Sequence, residues 1–124
     1  MRESVWSLIF AGSMHSGYNG AWSISMRVPL LTEEEIAGHL AEVPGWARVG
    51  EAITRTYSLA SFRAAIAFVG QVADAAEDAD HHPEIDVRYK NVTLLLRTHD
   101  AGGLTRLDFS LAVVCDQLAK GEKR

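Results

Sequence analysis

Between residues 84 and 98, two strand-like runs face each other across a two-residue break. This hairpin limits the fold more than any other feature of the chain. In residues 84–89, Ile85, Val87 and Tyr89 alternate with Asp86 and Arg88, placing them on opposite faces with the two-residue period of a strand. Lys90-Asn91 is the predicted turn. The return run, 92–98, aligns Val92, Leu94 and Leu96. Leu95 on its other side predicts that the second face is also covered in places. An earlier pair of short runs, 46–49 and 52–59, flanks Gly50-Glu51. There Ile53, Arg55, Tyr57 and Leu59 share one side and Thr54, Thr56 and Ser58 the other, a composition that favours strands. Arg55 interrupts the apolar side, so which face turns inward stays open. Strands joined by such short turns are antiparallel neighbours.

Helical patterns separate and flank the two pairs. Thr32 and Glu35 have the spacing of a capping box, with Ile36, Leu40 and Val43 following at helical intervals until Pro44-Gly45 stops the helix, giving 32–42. Ser61 is a candidate N-cap for a helix over 62–78, whose stripe is Phe62, Ala65, Ile66, Val69, Val72, Ala73 and Ala76. Gly102-Gly103 reads as a flexible loop. Thr105 and Asp108 then open a third helix carrying Leu107, Leu111, Val114 and Leu118, and 120–124 is a charged tail. The order α-β-β-α-β-β-α predicts an α+β fold in which a four-stranded antiparallel sheet carries three helices on one face.

The chain's 124 residues suit one small domain, and a hydrophobic fraction of 48% fits a globular protein. A net charge of −4 speaks against general nucleic-acid binding, which uses a basic face. Cys115 is the only cysteine, which leaves no internal disulfide and no cysteine-built zinc site, and fits a reducing, cytoplasmic setting. No apolar run reaches the ~20 residues that span a bilayer. Residues 1–25 read as an irregular extension and 26–124 as the folded domain. The short apolar run after Arg2 lacks the small-x-small cleavage site expected of a signal peptide.

Within residues 77–112 the chain resembles the pterin-4a-carbinolamine dehydratase family. The matching residues are Glu77, Asp80-His81-His82-Pro83, Tyr89, Val92, Thr98-His99, Gly103-Leu104-Thr105, Asp108 and Leu111-Ala112. A weaker similarity covers about 31–119, including Gly45-Trp46 and Phe62. Departures are modest: Arg97 stands where a small polar residue is common, and Leu95 where a polar one is usual.

The resemblance implies the same α+β fold and dehydration of a 4a-hydroxytetrahydropterin to the quinonoid dihydropterin. It implies no metal and no organic cofactor. An acid and a base on either side of a small ring suffice, and histidine serves both parts near neutral pH. His81 and His99 are the expected acid/base pair, with His82 a second catalytic contributor at the pterin rim and Asp108 orienting or charge-stabilising a histidine. Asp108 also has the position of a helix-capping residue beside Thr105, and the two roles are compatible. Glu77, Asp80, Pro83, Thr98, Asp100 and Ala101 are expected around the substrate. Adjacent side chains on extended backbone diverge, so His81 and His82 should point apart, with Pro83 holding His82 extended. His15 and His39 lie outside the motif and read as surface, Trp46 as core or pocket wall, and Cys115 as a buried, inert thiol.

Two other readings fit parts of the sequence. A zinc or iron site is disfavoured because an adjacent histidine pair chelates one ion poorly and the His-x₃-His helical spacing is absent. A non-catalytic interaction or assembly module on the same fold is the main alternative; the intact histidine pattern favours an enzyme. The resemblance further implies a homo-dimer or homo-tetramer and a functional link to an aromatic amino acid hydroxylase, while the net charge and the lack of a spanning apolar run point to neither nucleic acid nor membrane as partner.

Overall fold

The computed structural model describes residues 28–122. The extension expected over 1–25 and the domain start at Met26 lie outside them. The elements run α1 (Glu33–Glu42), β1 (Ala47–Val49), β2 (Ala52–Ser58), α2 (Phe62–Ala79), β3 (Glu84–Arg88), β4 (Asn91–Leu96), a single 3-10 turn (His99–Ala101) and α3 (Arg106–Glu122). The predicted order holds.

Local chemistry sets the helix starts. Thr32 Oγ1 accepts the Glu35 N–H at 3.1 Å while the Glu35 carboxylate takes the Thr32 N–H at 2.8 Å, completing the expected capping box. Ser61 caps α2 by accepting the Ala64 N–H at 3.0 Å. The strands lie in the order β1-β2-β4-β3, all antiparallel. Ile53 sits opposite Leu96, and Tyr57 opposite Val92. These four side chains and Leu94 are buried against Phe68 and Val72 of α2 and Leu111, Val114, Cys115 and Leu118 of α3. Burying each large apolar side chain contributes about 1.5–3 kcal/mol, so this single layer of contacts carries the fold.

Arg55 is directly opposite Leu94 and therefore on the helix-facing side, which resolves the open assignment. It is accommodated by a carboxylate reached from another element. Its guanidinium donates to Asp116 Oδ1 of α3 at 2.9 Å and lies 4.7 Å from the centroid of the Tyr57 ring. The same oxygen accepts from Trp46 Nε1 at 3.0 Å and from the Tyr57 hydroxyl. A side chain at Gly45 would overlap the Arg55 guanidinium, so the Pro44-Gly45 stop also clears room for this cluster. Burial, followed by the bond to Asp116, raises the Tyr57 pKa and keeps its hydroxyl a donor.

Two expectations need correction. The β3–β4 turn is Tyr89-Lys90, not Lys90-Asn91, because Arg88 pairs with Asn91 and Val87 with Val92. Keeping Val87 and Val92 on the buried side places Tyr89 at φ 55°, a conformation usually left to Gly or Asn. Leu95 does not mark a covered second face. It is half-buried, opposite Thr54 and Glu84, and no helix packs on that side among the described residues. Thr56 and Thr93 instead pair across the open face at 2.7 Å.

Candidate active site

The polar centre begins at the end of α2. Asp80 takes a left-handed conformation (φ 52°, ψ 44°), its N–H bonding Glu77 O at 3.2 Å while the His81 N–H reaches back to Ala76 O at 3.0 Å. This is the paired closure of a Schellman end, at a residue type that tolerates left-handed backbone. It ties His81 to the last turn of the helix. The two histidines then diverge as expected. His81 turns inward, 8% exposed, with Nε2 2.7 Å from Asp108 Oδ1. His82 turns outward, with Nε2 2.8 Å from Glu77 Oε2 in a solvent-exposed pair.

Asp108 is fully buried in the first turn of α3. Its Oδ2 accepts the Thr105 N–H at 2.9 Å, the reaching-back half of the expected capping box, and the Thr98 hydroxyl at 2.9 Å. The Thr105 hydroxyl takes the Leu107 N–H at 3.1 Å and lies 2.7 Å from that of Thr98. The direction of this chain follows from the donors. Thr98 gives its proton to the carboxylate, so it accepts from Thr105, whose other lone pair holds Leu107. A carboxylate only accepts, so His81 carries its proton on Nε2 and Nδ1 is the nitrogen left for another partner. No buried side-chain nitrogen or oxygen among the described residues lacks a partner.

Thr98 also pairs by backbone with Gly103, its N–H bonding Gly103 O at 3.0 Å. The loop predicted to be flexible is thus closed by a bridge and a 3-10 turn, with Gly102 at φ 79° and Gly103 packed beneath Leu30. Thr98 points inward to Asp108, while its neighbours Arg97 and His99 are exposed. Arg97 Nη2 is 3.5 Å from His99 Nδ1.

The structure therefore links His81, Asp108, Thr98 and Thr105 directly, and joins His99 to them through the Thr98 backbone. Glu77 meets His82 only. Asp80 shapes the backbone with its side chain exposed, and Pro83 is half-buried beyond the pair. Asp100 and Ala101 complete the 3-10 turn, where the Ala101 N–H bonds Thr98 O at 3.1 Å. The hydroxyl of Thr98 is already engaged inside the protein. From the sequence Thr105 reads as a cap and as part of the family match with Thr98, but nothing local shows that its hydroxyl joins the centre. Outside the centre, His39 is partly exposed and stacks on Phe109 at 5.0 Å between ring centroids, tying α1 to α3. Among the described residues no three His, Cys, Asp or Glu side chains converge to hold a metal ion, and no helix is long and apolar enough to cross a membrane.

Fold and centre together define a small α+β protein built around a buried histidine–carboxylate pair at the meeting of a helix end, a strand end and a helix start. Residues 29–118 match the family model described as pterin 4 alpha carbinolamine dehydratase. A relative from Chloroflexus aurantiacus is 55% identical over 91 residues, covering 73% of this chain and 98% of the relative. One from Nocardia farcinica is 52% identical over 95 residues, covering 77% and 100%. Both are named, provisionally, as pterin-4-alpha-carbinolamine dehydratases. A crystal structure of a transcriptional coactivator/pterin dehydratase from Brucella melitensis superposes with a TM-score of 0.70 at 39% identity, covering 73% of this chain and 98% of that one. The chain belongs to the pterin 4 alpha carbinolamine dehydratase family.

Proposed function

We propose that this protein is a hydro-lyase that converts 4a-hydroxytetrahydrobiopterin, or a close pterin analogue, to the quinonoid dihydropterin and water. The observation that carries this reading is the buried His81–Asp108 pair, lying inside the segment matched by the family. In the reaction a base removes the N5 proton. The N5 electron pair forms the C4a=N5 bond, and the C4a–O bond breaks with its electrons going to oxygen. A hydrogen-bond donor or acid helps the oxygen leave as water. His81 and His99 share these parts, and a positioned acid or base contributes roughly 10²–10⁴-fold. Asp108 holds His81 in one tautomer, and the Thr98–Thr105 hydroxyl chain holds Asp108. His82 lies at the rim with Glu77, and Asp80, Pro83, Thr98, Asp100 and Ala101 frame the pterin mainly through backbone. No metal or organic cofactor takes part.

The same reading places the protein in the cytoplasm, recycling the pterin product of an aromatic amino acid hydroxylase. It includes self-association as a homo-dimer or homo-tetramer. Phe62, Ile66 and Val113 expose large apolar side chains on α2 and α3, and β1 and β3 are the sheet edges. The Brucella relative is described as a transcriptional coactivator as well as a pterin dehydratase, which favours an interaction module as the second reading. Dehydration of 4a-hydroxytetrahydropterin above the spontaneous rate, retained after dialysis against EDTA, supports the enzyme. A rate equal to the spontaneous one supports the module. Light scattering at micromolar concentration tests the oligomer, and a clean monomer contradicts it.

A further inference from the structure

We propose that Arg97 is a positioning residue that holds the His99 ring with its proton on Nε2. The proposal rests on His99 belonging to the dehydration site. Thr98 is extended (φ −96°, ψ 100°), fixed by its backbone pairing with Gly103, and its side chain is engaged inward with Asp108 and Thr105. Residues on either side of an extended residue leave from the same face. Arg97 and His99 are therefore brought together on the outer side by the backbone itself, and the guanidinium reaches the ring, Nη2 to Nδ1, at 3.5 Å.

A guanidinium has only donors, so a hydrogen bond made across this contact is accepted by a lone pair on Nδ1. The ring proton is then on Nε2, because the bond made by one imidazole nitrogen fixes the tautomer of the other. His99 presents an N–H, and His81, tied through Nε2 to Asp108, presents a lone pair on Nδ1. Two chemically similar rings are thereby given complementary faces, His99 as the hydrogen-bond donor to the departing hydroxyl. Arg97 acts through His99 and touches no reacting atom, which separates its role from substrate binding.

Arg97→Met and Arg97→Lys test this, with long-range ¹H–¹⁵N imidazole spectra of the neutral ring beside kcat and KM for dehydration. Wild type should show His99 with an unprotonated Nδ1 and a protonated Nε2. Arg97→Met should give a tautomer mixture and a kcat lowered about three- to tenfold with KM within about twofold. Arg97→Lys, which keeps a cationic donor, should restore kcat to within about twofold. Unchanged His99 shifts and kcat in Arg97→Met overturn the proposal, as does a loss confined to KM or a wild-type ring protonated on Nδ1. If wild type fails to exceed the spontaneous rate, the dehydratase reading falls instead, and the spectra still decide the Arg97–His99 contact.

Discussion

His81 Nε2 lies 2.7 Å from Asp108 Oδ1, with the side chain of His81 9% exposed and that of Asp108 fully buried. The two come from residues 27 positions apart, one at the close of α2 and one at the opening of α3. Asp108 accepts from His81, Thr98 and the Thr105 backbone at once. Asp108→Asn keeps the size but puts an NH₂ where an acceptor was needed, so His81 loses its fixed tautomer. Dehydration should fall about 10²-fold or more, measured against wild type with far-UV circular dichroism confirming the fold.

The neighbouring histidine gives the opposite expectation. His82 and Glu77 are 55% and 76% exposed at the side chain, and exposed pairs contribute about 0–1 kcal/mol. Glu77→Gln should shift the urea midpoint by less than ~0.5 kcal/mol equivalent, with the difference shrinking further in high salt. A loss of dehydration rate in Glu77→Gln comparable to that of Asp108→Asn would show that Glu77 is part of the catalytic centre.

Asp116 makes a purely structural prediction. One of its oxygens receives Trp46, Arg55 and Tyr57. Asp116→Ala strands all three donors, costing about 2–4 kcal/mol and lowering the thermal midpoint by about 10 °C or more. Activity per folded molecule should be retained.

That cluster also shows where sequence reading stops. Helix ends, strand periods and the inward and outward parting of His81 and His82 are written in short-range patterns, so the element order and the Thr32 cap could be read directly. Arg55 looked like a flaw in an apolar face because its partner is 61 positions away, and no local period points to Asp116. The Tyr89-Lys90 turn was missed for a related reason. Asn91 suits a turn locally, but the pairing of Val87 with Val92 in the core decides the register and imposes a positive φ on Tyr89. In the centre, Asp108 was visible as both cap and partner. Thr105 and Thr98 needed the folded loop to reveal that their hydroxyls serve the same carboxylate.

Cys115 links burial to pH. Desolvation, followed by the nearby Asp116 charge, pushes its thiol from 9.0 up to about 12. The folded state then holds the proton more tightly than the unfolded chain. This group's contribution to stability is fully present below about pH 9 and lost as pH rises toward 12. Cys115→Ala should flatten the alkaline fall in stability across that window. The native thiol should resist a disulfide reagent at pH 8 until denaturant is added.

The most direct test is stopped-flow dehydration of enzymatically generated 4a-hydroxytetrahydropterin by wild type, His81→Ala and His99→Ala. The account predicts that wild type exceeds the spontaneous rate and that each variant, still folded, loses about 10²-fold or more of the excess. Equal rates for all three would contradict it.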